Sequence, residues 1–252
     1  MSNEELLLQK RFVELSKTAF NRGIVMFSDF LNLNELNILH TTPKAMFSSR
    51  YETFGGYGLS ERQMAAFLPD ALYYEYQYPI TALEIRPAAP KFAEALTHRD
   101  YLGAVMNLGI ERSKLGDILT YEDAAVLFVK EELASYITEQ LSRVRHTVVK
   151  TTVLPSFQED YEPKYETIRG TVPSIRLDTV LSLAFPMSRS KITDFIEGGR
   201  VFVNGRLITS NGYRLNSGDY ISVRKMGRIM YEDIISGTKK GRFLISVRKY
   251  GS

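Results

Sequence analysis

A chain of 252 residues, 44% hydrophobic and 24% charged, has room for two or three folded domains and no polar tract long enough to suggest disorder. It has no cysteine, which excludes disulfides, thiol nucleophiles and thiolate-bound zinc and fits a reducing compartment; His40, His98 and His146 stand too far apart to make a metal-binding pair. Residues 174–252 carry 14 Lys and Arg against 6 Asp and Glu, a net of +8, whereas residues 1–173 carry 18 against 23, a net of −5, so a local polyanion contact is expected, with nucleic acid the first candidate.

The chain begins MSNEELLLQKRF; its apolar run at 6–8 is too short for a signal-peptide core and follows acids, not bases. No stretch approaches the roughly eighteen apolar residues that span a bilayer, so a cytoplasmic protein with no membrane partner is expected. Residues 1–78 read mostly helical. Leu8, Phe12, Leu15 and Ala19 recur at helical spacing, Asn34-Glu35-Leu36 opens a second short helix, and 61–67 reads as a third. The Phe54-Gly55-Gly56-Tyr57-Gly58 run lacks the GxxxxGK[ST] pattern of a phosphate loop and is expected to be a turn.

From 79 to 154 the period changes. Residues 80–86 alternate like a strand, Pro87 and Pro90 break the chain, and 98–108 reads as a helix ending near Gly109. A short strand at 116–119, a buried strand at 124–129, a helix at 133–141 and a β-branched strand at 148–153 complete the order β-α-β-β-α-β. That is the order of a ferredoxin-like fold, shared by RNA-recognition-motif domains. The stacking aromatics of those domains are missing, with only Phe128 on the third strand, which favours a structural or docking role for this sheet. Residues 155–173, with Pro155, Pro163 and Pro173 and no periodicity, read as a linker.

In residues 174–252, Leu177, Val180, Leu181 and Ala184 form an apolar helical stripe that Pro186 ends. Ser188 is a natural N-cap for a second helix whose Ile192, Phe195 and Ile196 face a core, and Gly198-Gly199 ends it. Val201-Phe202-Val203 is a strand, Asn204-Gly205 a two-residue hairpin turn into Arg206-Leu207, and a turn at 216–218 leads through Asp219 to the strand 221–223. Further strands follow at 227–231 and 242–248. Arg189 and Lys191 flank the start of the second helix, where free backbone N–H groups and the helix dipole favour phosphate. Arg200, Arg206, Arg214, Arg224 and Lys225 add cations around the strands, and Lys239 and Lys240 sit at a loop tip. Asp178 is expected to pair with an arginine or a backbone amide rather than to catalyse.

Arg176-Leu177-Asp178, Ser188-Arg189-Ser190-Lys191, Gly199-Arg200-Val201, Val203-Asn204-Gly205 and Gly218-Asp219 fall in the order and spacing of the RNA-binding domain named after ribosomal small-subunit protein four. The last third resembles that S-four-type domain, in which two helices pack on a small sheet and present a basic face to structured RNA. The resemblance implies RNA contacts at Arg176, Ser188, Arg189, Ser190, Lys191, Arg200, Asn204 and Arg206, with Lys239 and Lys240 added by their position. The whole chain, through its middle stretch LTHRDYLGAVMNLGIERSKLGDI, resembles the YlmH family of bacterial proteins. That resemblance implies a factor binding rRNA and tRNA on the large ribosomal subunit carrying peptidyl-tRNA, in rescue of stalled translation (ribosome-associated quality control), with a link to cell division.

The expected architecture is therefore α+β: an N-terminal helical segment (1–78), a ferredoxin/RRM-like domain (79–154), a linker (155–173) and an S-four-type domain (174–252). A monomer without cofactor, metal or catalytic activity is expected. Pseudouridine synthases and methyltransferases place such a module first, ahead of a larger catalytic domain; here it comes last, and 1–173 holds no glycine-rich cofactor motif after a strand. A tyrosyl-tRNA synthetase carries the module last, but its nucleotide-binding signatures are missing. An adaptor of the division machinery is the other alternative.

Overall fold

Helix α1 (Asn3–Arg22) opens on Glu4 and Glu5 and closes on Arg22, charges that complement its dipole. In the computed structural model, which describes residues 3–155, 157, 165–238 and 241–250, its apolar stripe is buried as expected, with Phe12 and Ala19 in a core and Leu8 and Leu15 beside them. The surface they cover is a sheet. Strands β1 (Met26–Leu31), β2 (Arg50–Phe54) and β3 (Gln63–Leu68) pair antiparallel in the order β1-β3-β2, and α2 (Leu33–Thr41) packs with α1. The mostly helical reading of 1–78 is corrected here, and the helix expected at 61–67 is largely strand β3. Met64, Ala65, Ala66, Phe67 and Leu68 are all buried, so the strand is apolar on both faces and shows no alternation.

The following residues form the expected β-α-β-β-α-β order: β4 (Ile80–Pro87), α3 (His98–Met106), β5 (Leu115–Thr120), β6 (Ala125–Lys130), α4 (Ala134–Gln140) and β8 (Thr147–Leu154), with a short β7 (Arg143–Val144) paired to β8. The sheet order β5-β6-β4-β8-β7, antiparallel throughout, is ferredoxin-like. Leu83, Ile85, Leu127 and Val129 pack on one face against Tyr101 and Val105 of α3 and Ile137 of α4.

Phe128, between Leu127 and Val129, points to the opposite face. It is nonetheless 1% exposed. The glycine turn covers it: Tyr57 stacks on its ring at 5.1 Å, and a Cβ on Gly56 (φ +102°) would lie 2.3 Å from Phe128 Cδ1. Phe157 meets the ring edge-on, also at 5.1 Å. The third strand, on which RNA-recognition motifs stack bases, is thus closed by the chain's own N-terminal portion.

Polar contacts tie the two sheets of this unit together. The Asp117 carboxylate accepts from Tyr57 Oη (2.8 Å), the Glu61 N–H (2.7 Å) and the Arg62 N–H (3.1 Å). Arg62 in turn donates to the carbonyls of Phe30, Arg112 and Leu115. Asp29 takes both Lys114 and Lys130 at 2.9 Å.

The chain divides into two units, Met1–Glu159 and Asp160–Ser252. In the second, α5 (Leu177–Ala184) and α6 (Arg189–Glu197) pack over a sheet of β9 (Tyr165–Val172), β10 (Val201–Val203), β11 (Arg206–Leu207), β12 (Tyr220–Val223), β13 (Gly227–Gly237) and β14 (Phe243–Tyr250), in the order β11-β10-β12-β13-β14-β9. Leu177, Val180, Leu181 and Ala184 of α5 and Ile192 and Ile196 of α6 are buried, with Phe195 partly so. The strands expected at 227–231 and 242–248 are β13 and β14. Residues 165–172, expected as linker, are instead β9, which pairs along β14 from Tyr165↔Tyr250 to Val172↔Phe243. Its Gly170 lets Leu183 of α5 come close, since a Cβ there would lie 2.3 Å from Leu183 Cδ1. Among the described residues of the whole chain no helix is long and apolar enough to cross a membrane.

Candidate nucleic-acid interface

Helix α5 starts directly after Arg176, whose own N–H donates to Thr179 Oγ1 at 3.3 Å. The helix stops before Pro186, which has no N–H to continue it. Ser188 then opens α6 with extended dihedrals (φ −62°, ψ 149°), its Oγ accepting the Lys191 N–H at 3.4 Å and lying 3.1 Å from Ser190 Oγ. The expected N-cap is in place.

The two helix starts meet at Asp178. Arg176 Nε donates to Oδ1 (3.1 Å) and its Nη2 to Oδ2 (3.2 Å); Arg189 donates to Oδ2 from Nη2 (2.8 Å) and Nε (3.3 Å). The Asp178 side chain is only 4% exposed, against 41% for Arg176 and 61% for Arg189. One buried carboxylate therefore orients two surface guanidiniums and leaves one positive charge over. Lys191, exposed in the first turn of α6, has no carboxylate partner among the described residues and adds a second. The expectation that Asp178 pairs with an arginine inside the module holds, and it does so twice. A loop laid along the start of α5 brings Arg214 across from Arg176 in an isolated bridge, with the Leu177 N–H on Tyr213 O at 2.8 Å.

The other sequence-derived residues lie elsewhere. Arg200 lies three residues beyond the end of α6, with its guanidinium 5.0 Å from the Phe195 ring centre. Asn204 is left-handed (φ +47°) ahead of Gly205 (φ +76°), as the hairpin turn demands. Its amide is engaged at both ends: Nδ2 donates to Asp219 Oδ1 at 2.8 Å and Oδ1 accepts the Tyr220 N–H at 2.9 Å. Asn204 thus locks one turn of the module to another. Arg206 is exposed on β11, and Lys239 and Lys240 lie outside the described residues. Two further cations, on β14, were not singled out from sequence. Arg248 bonds Glu232 at 2.6 Å and covers Tyr165 at 4.6 Å, and Lys249 lies 5.1 Å from the Phe185 ring centre. Tyr165 lies on β9, so that contact could be found only once β9 was known to pair with β14. No group of three or more His, Asp or Glu that could hold a metal occurs among the described residues.

Residues 74–158 match the family described as "Putative RNA-binding domain in YlmH", and residues 175–221 match the S4 domain family. The chain is 30% identical over 225 residues to "Ribosome-associated protein quality control protein P2" of Bacillus subtilis (strain 168), covering 88% of this chain and 86% of that protein. The chain belongs to the YlmH family. The solved "Cell division protein ylmH from Streptococcus pneumoniae" is similar in fold, with a TM-score of 0.50 and 26% identity over 62% of this chain and 93% of that one.

This YlmH-family chain thus carries an RNA-binding-family segment in each unit. The S4 match runs from the start of α5 into β12 and contains the whole Arg176–Asp178–Arg189 cluster; β9, β13 and β14 enlarge its sheet from outside. The mixed helix-and-sheet architecture with an S4 domain at the C-terminal end is as the sequence led us to expect.

Proposed function

We propose that this protein is a non-catalytic RNA-binding factor of translation, which binds rRNA and tRNA on the large ribosomal subunit carrying peptidyl-tRNA and takes part in rescue of stalled translation. The observation that carries this reading is the pair of guanidiniums, Arg176 and Arg189, held at the surface of the S4 domain by the buried Asp178, with Lys191 beside them. Pre-oriented arginine forks suit phosphate oxygens, and Lys191 adds a point charge at a helix start. The name of the Bacillus relative supports placing that RNA contact in ribosome-associated quality control. In this proposal Ser188, Ser190, Arg200, Arg206, Lys239 and Lys240 add contacts to the RNA backbone, while Asn204 acts by shaping its turn. The protein works in the cytoplasm, as a monomer and without a cofactor.

The test is sedimentation of lysate through a sucrose gradient, followed by filter binding of the purified chain to rRNA and tRNA. Co-migration with the large subunit, lost in an Arg176→Ala, Arg189→Ala variant, is expected. Recovery with division proteins and without rRNA would replace this reading by that of a division adaptor. A new modified nucleoside in RNA incubated with the protein would overturn the non-catalytic assignment.

A further inference from the structure

We infer that the first unit holds a binding site for one unpaired RNA base, in a cavity beside β4 and β8 walled by Phe54, Tyr76 and Tyr78. This rests on the proposal that the chain binds RNA, and assigns a contact of a different chemistry outside the S4 domain.

The starting observation is the helix-free face of the sheet. Ala82 on β4 pairs with Phe128 on one side and with Leu154 on the other, so these three side chains form one row across neighbouring strands. The row lines a cavity of about 660 Å³, a size within the roughly 300–1,000 Å³ of small-ligand sites. Its aromatic walls come from the end of β2 and from the segment leading into β4: Phe54, Tyr76 and Tyr78.

The rings differ in what they have left to offer. Phe128 is 1% exposed, and Tyr57 stacks on it with the planes 21° apart. The others meet at steep angles, Phe54 with Tyr78 at 58° and Tyr76 with Tyr78 at 52°, so neither pair is stacked. Phe54 is also 39% exposed, a large apolar ring at a cavity wall and not in a core. A planar ligand therefore stacks on Phe54 and the two tyrosines, with Phe128 as a closed floor.

The wall carries one unmet polar group. Tyr78 Oη is buried and has no hydrogen-bond partner among the described residues. The proton of the nearby Tyr76 hydroxyl goes to Glu52 Oε2 at 2.9 Å. Burial, and then Tyr76, push the Tyr78 pKa up, so its hydroxyl keeps its proton and can both donate and accept. A buried hydroxyl without a partner is costly unless a ligand completes it. Gln77, exposed at the same cavity, adds an amide that donates and accepts.

These features select the occupant. No charged side chain lines the cavity among the described residues, so neither a phosphate nor another ion is held there. A nucleobase has both a π-face for the rings and donors and acceptors on its edge for Tyr78 and Gln77, whereas an apolar peptide side chain leaves the hydroxyl unmet. All of the lining from Tyr76 onward falls within residues 74–158, which match the putative RNA-binding family.

The experiment uses the full-length chain with ¹³C-labelled tyrosine rings, the Tyr78 signal being assigned through Tyr78→Phe. It is titrated with adenosine and uridine monophosphates, inorganic phosphate, N-acetyl-tyrosine amide, a hairpin RNA with an unpaired loop, and a blunt duplex of the same stem. Tyr78 is expected to move with the hairpin and with millimolar nucleotide, and to stay in place with phosphate and with the duplex. Phe54→Ala should weaken hairpin binding roughly 5- to 150-fold and Tyr78→Phe roughly two- to tenfold, both with the salt slope unchanged, because neither removes a phosphate contact. Tyr78→Phe keeps the ring and removes only an unpaired hydroxyl, so it serves even where Phe54→Ala folds poorly. Wild-type hairpin affinity in both folded variants, with Tyr78 unmoved by the hairpin, would overturn this site while leaving S4-domain binding intact. Movement with N-acetyl-tyrosine amide but with no nucleotide or RNA would assign the cavity to a peptide side chain instead. No RNA binding by the wild-type chain at all would overturn the proposed function, and this inference with it.

Discussion

Asp178 Oδ2 accepts a 2.8 Å hydrogen bond from Arg189 Nη2, joining the start of α5 to the start of α6 across a turn of the chain. The same carboxylate holds Arg176 from its other side, so a residue that is itself buried sets the orientation of two that are not. RNA binding is then predicted to depend on a side chain RNA cannot touch. Asp178→Asn removes the charge and leaves two guanidiniums facing each other. Stability should fall by about 1–3 kcal/mol, the usual cost of disturbing a charged hydrogen bond at a buried group. RNA affinity of the folded variant should fall as well. Thermal unfolding and filter binding measure the two effects; full affinity in the folded variant would mean that the clamp does not position the arginines.

Arg189 and Lys191 should separate by stability and not by function. Arg189→Ala leaves Asp178 with a single arginine and should cost about 0.5–1.5 kcal/mol, whereas Lys191→Ala, at an exposed residue with no carboxylate partner among the described residues, should change stability by less than about 0.5 kcal/mol. Each should lower affinity for all RNA sequences alike, since phosphate contacts position without specifying. Titrating RNA affinity against salt should give a log–log slope reduced by roughly 0.7–0.9 for each variant.

Gly56→Ala should destabilise the first unit by about 2–3 kcal/mol, because the residue is left-handed and the new methyl would meet the Phe128 ring. Urea unfolding monitored by tyrosine fluorescence checks this. A variant as stable as wild type would mean that the glycine turn does not close the third strand.

Asp29 gives the first unit a predictable acid limit. Burial alone would raise its pKa, but the hydrogen bonds and charges of Lys114 and Lys130 outweigh burial and hold it below the ordinary 3.8. A carboxyl with a depressed folded-state pKa stabilises above its unfolded pKa, and that contribution is lost as pH falls through the folded value. Wild type should therefore lose stability below about pH 4 more steeply than Asp29→Asn, which lacks this contribution at every pH. Chemical unfolding at a series of acid pH values separates the two curves; parallel curves would remove Asp29 from the acid response.

Local chemistry determined much of this protein directly from sequence. Ser188 could only be read as a cap, Asn204-Gly205 as a two-residue hairpin and Leu177–Ala184 as a one-sided helix, because each depends on neighbours within about four residues. The basic last third, too, needs no structure to be seen. Strand β3 was decided only by tertiary structure, since burial on both faces erases the alternation that distinguishes a strand from a helix. The same holds for β9, which is mostly exposed and exists through its ladder with β14, some eighty residues later in the chain. Nor could sequence say that Phe128 is covered by Tyr57, that Asp178 serves two arginines, or that Arg62 and Arg112 share one carbonyl. Those are relations between groups distant in sequence, and only the packing of the folded chain sets their geometry.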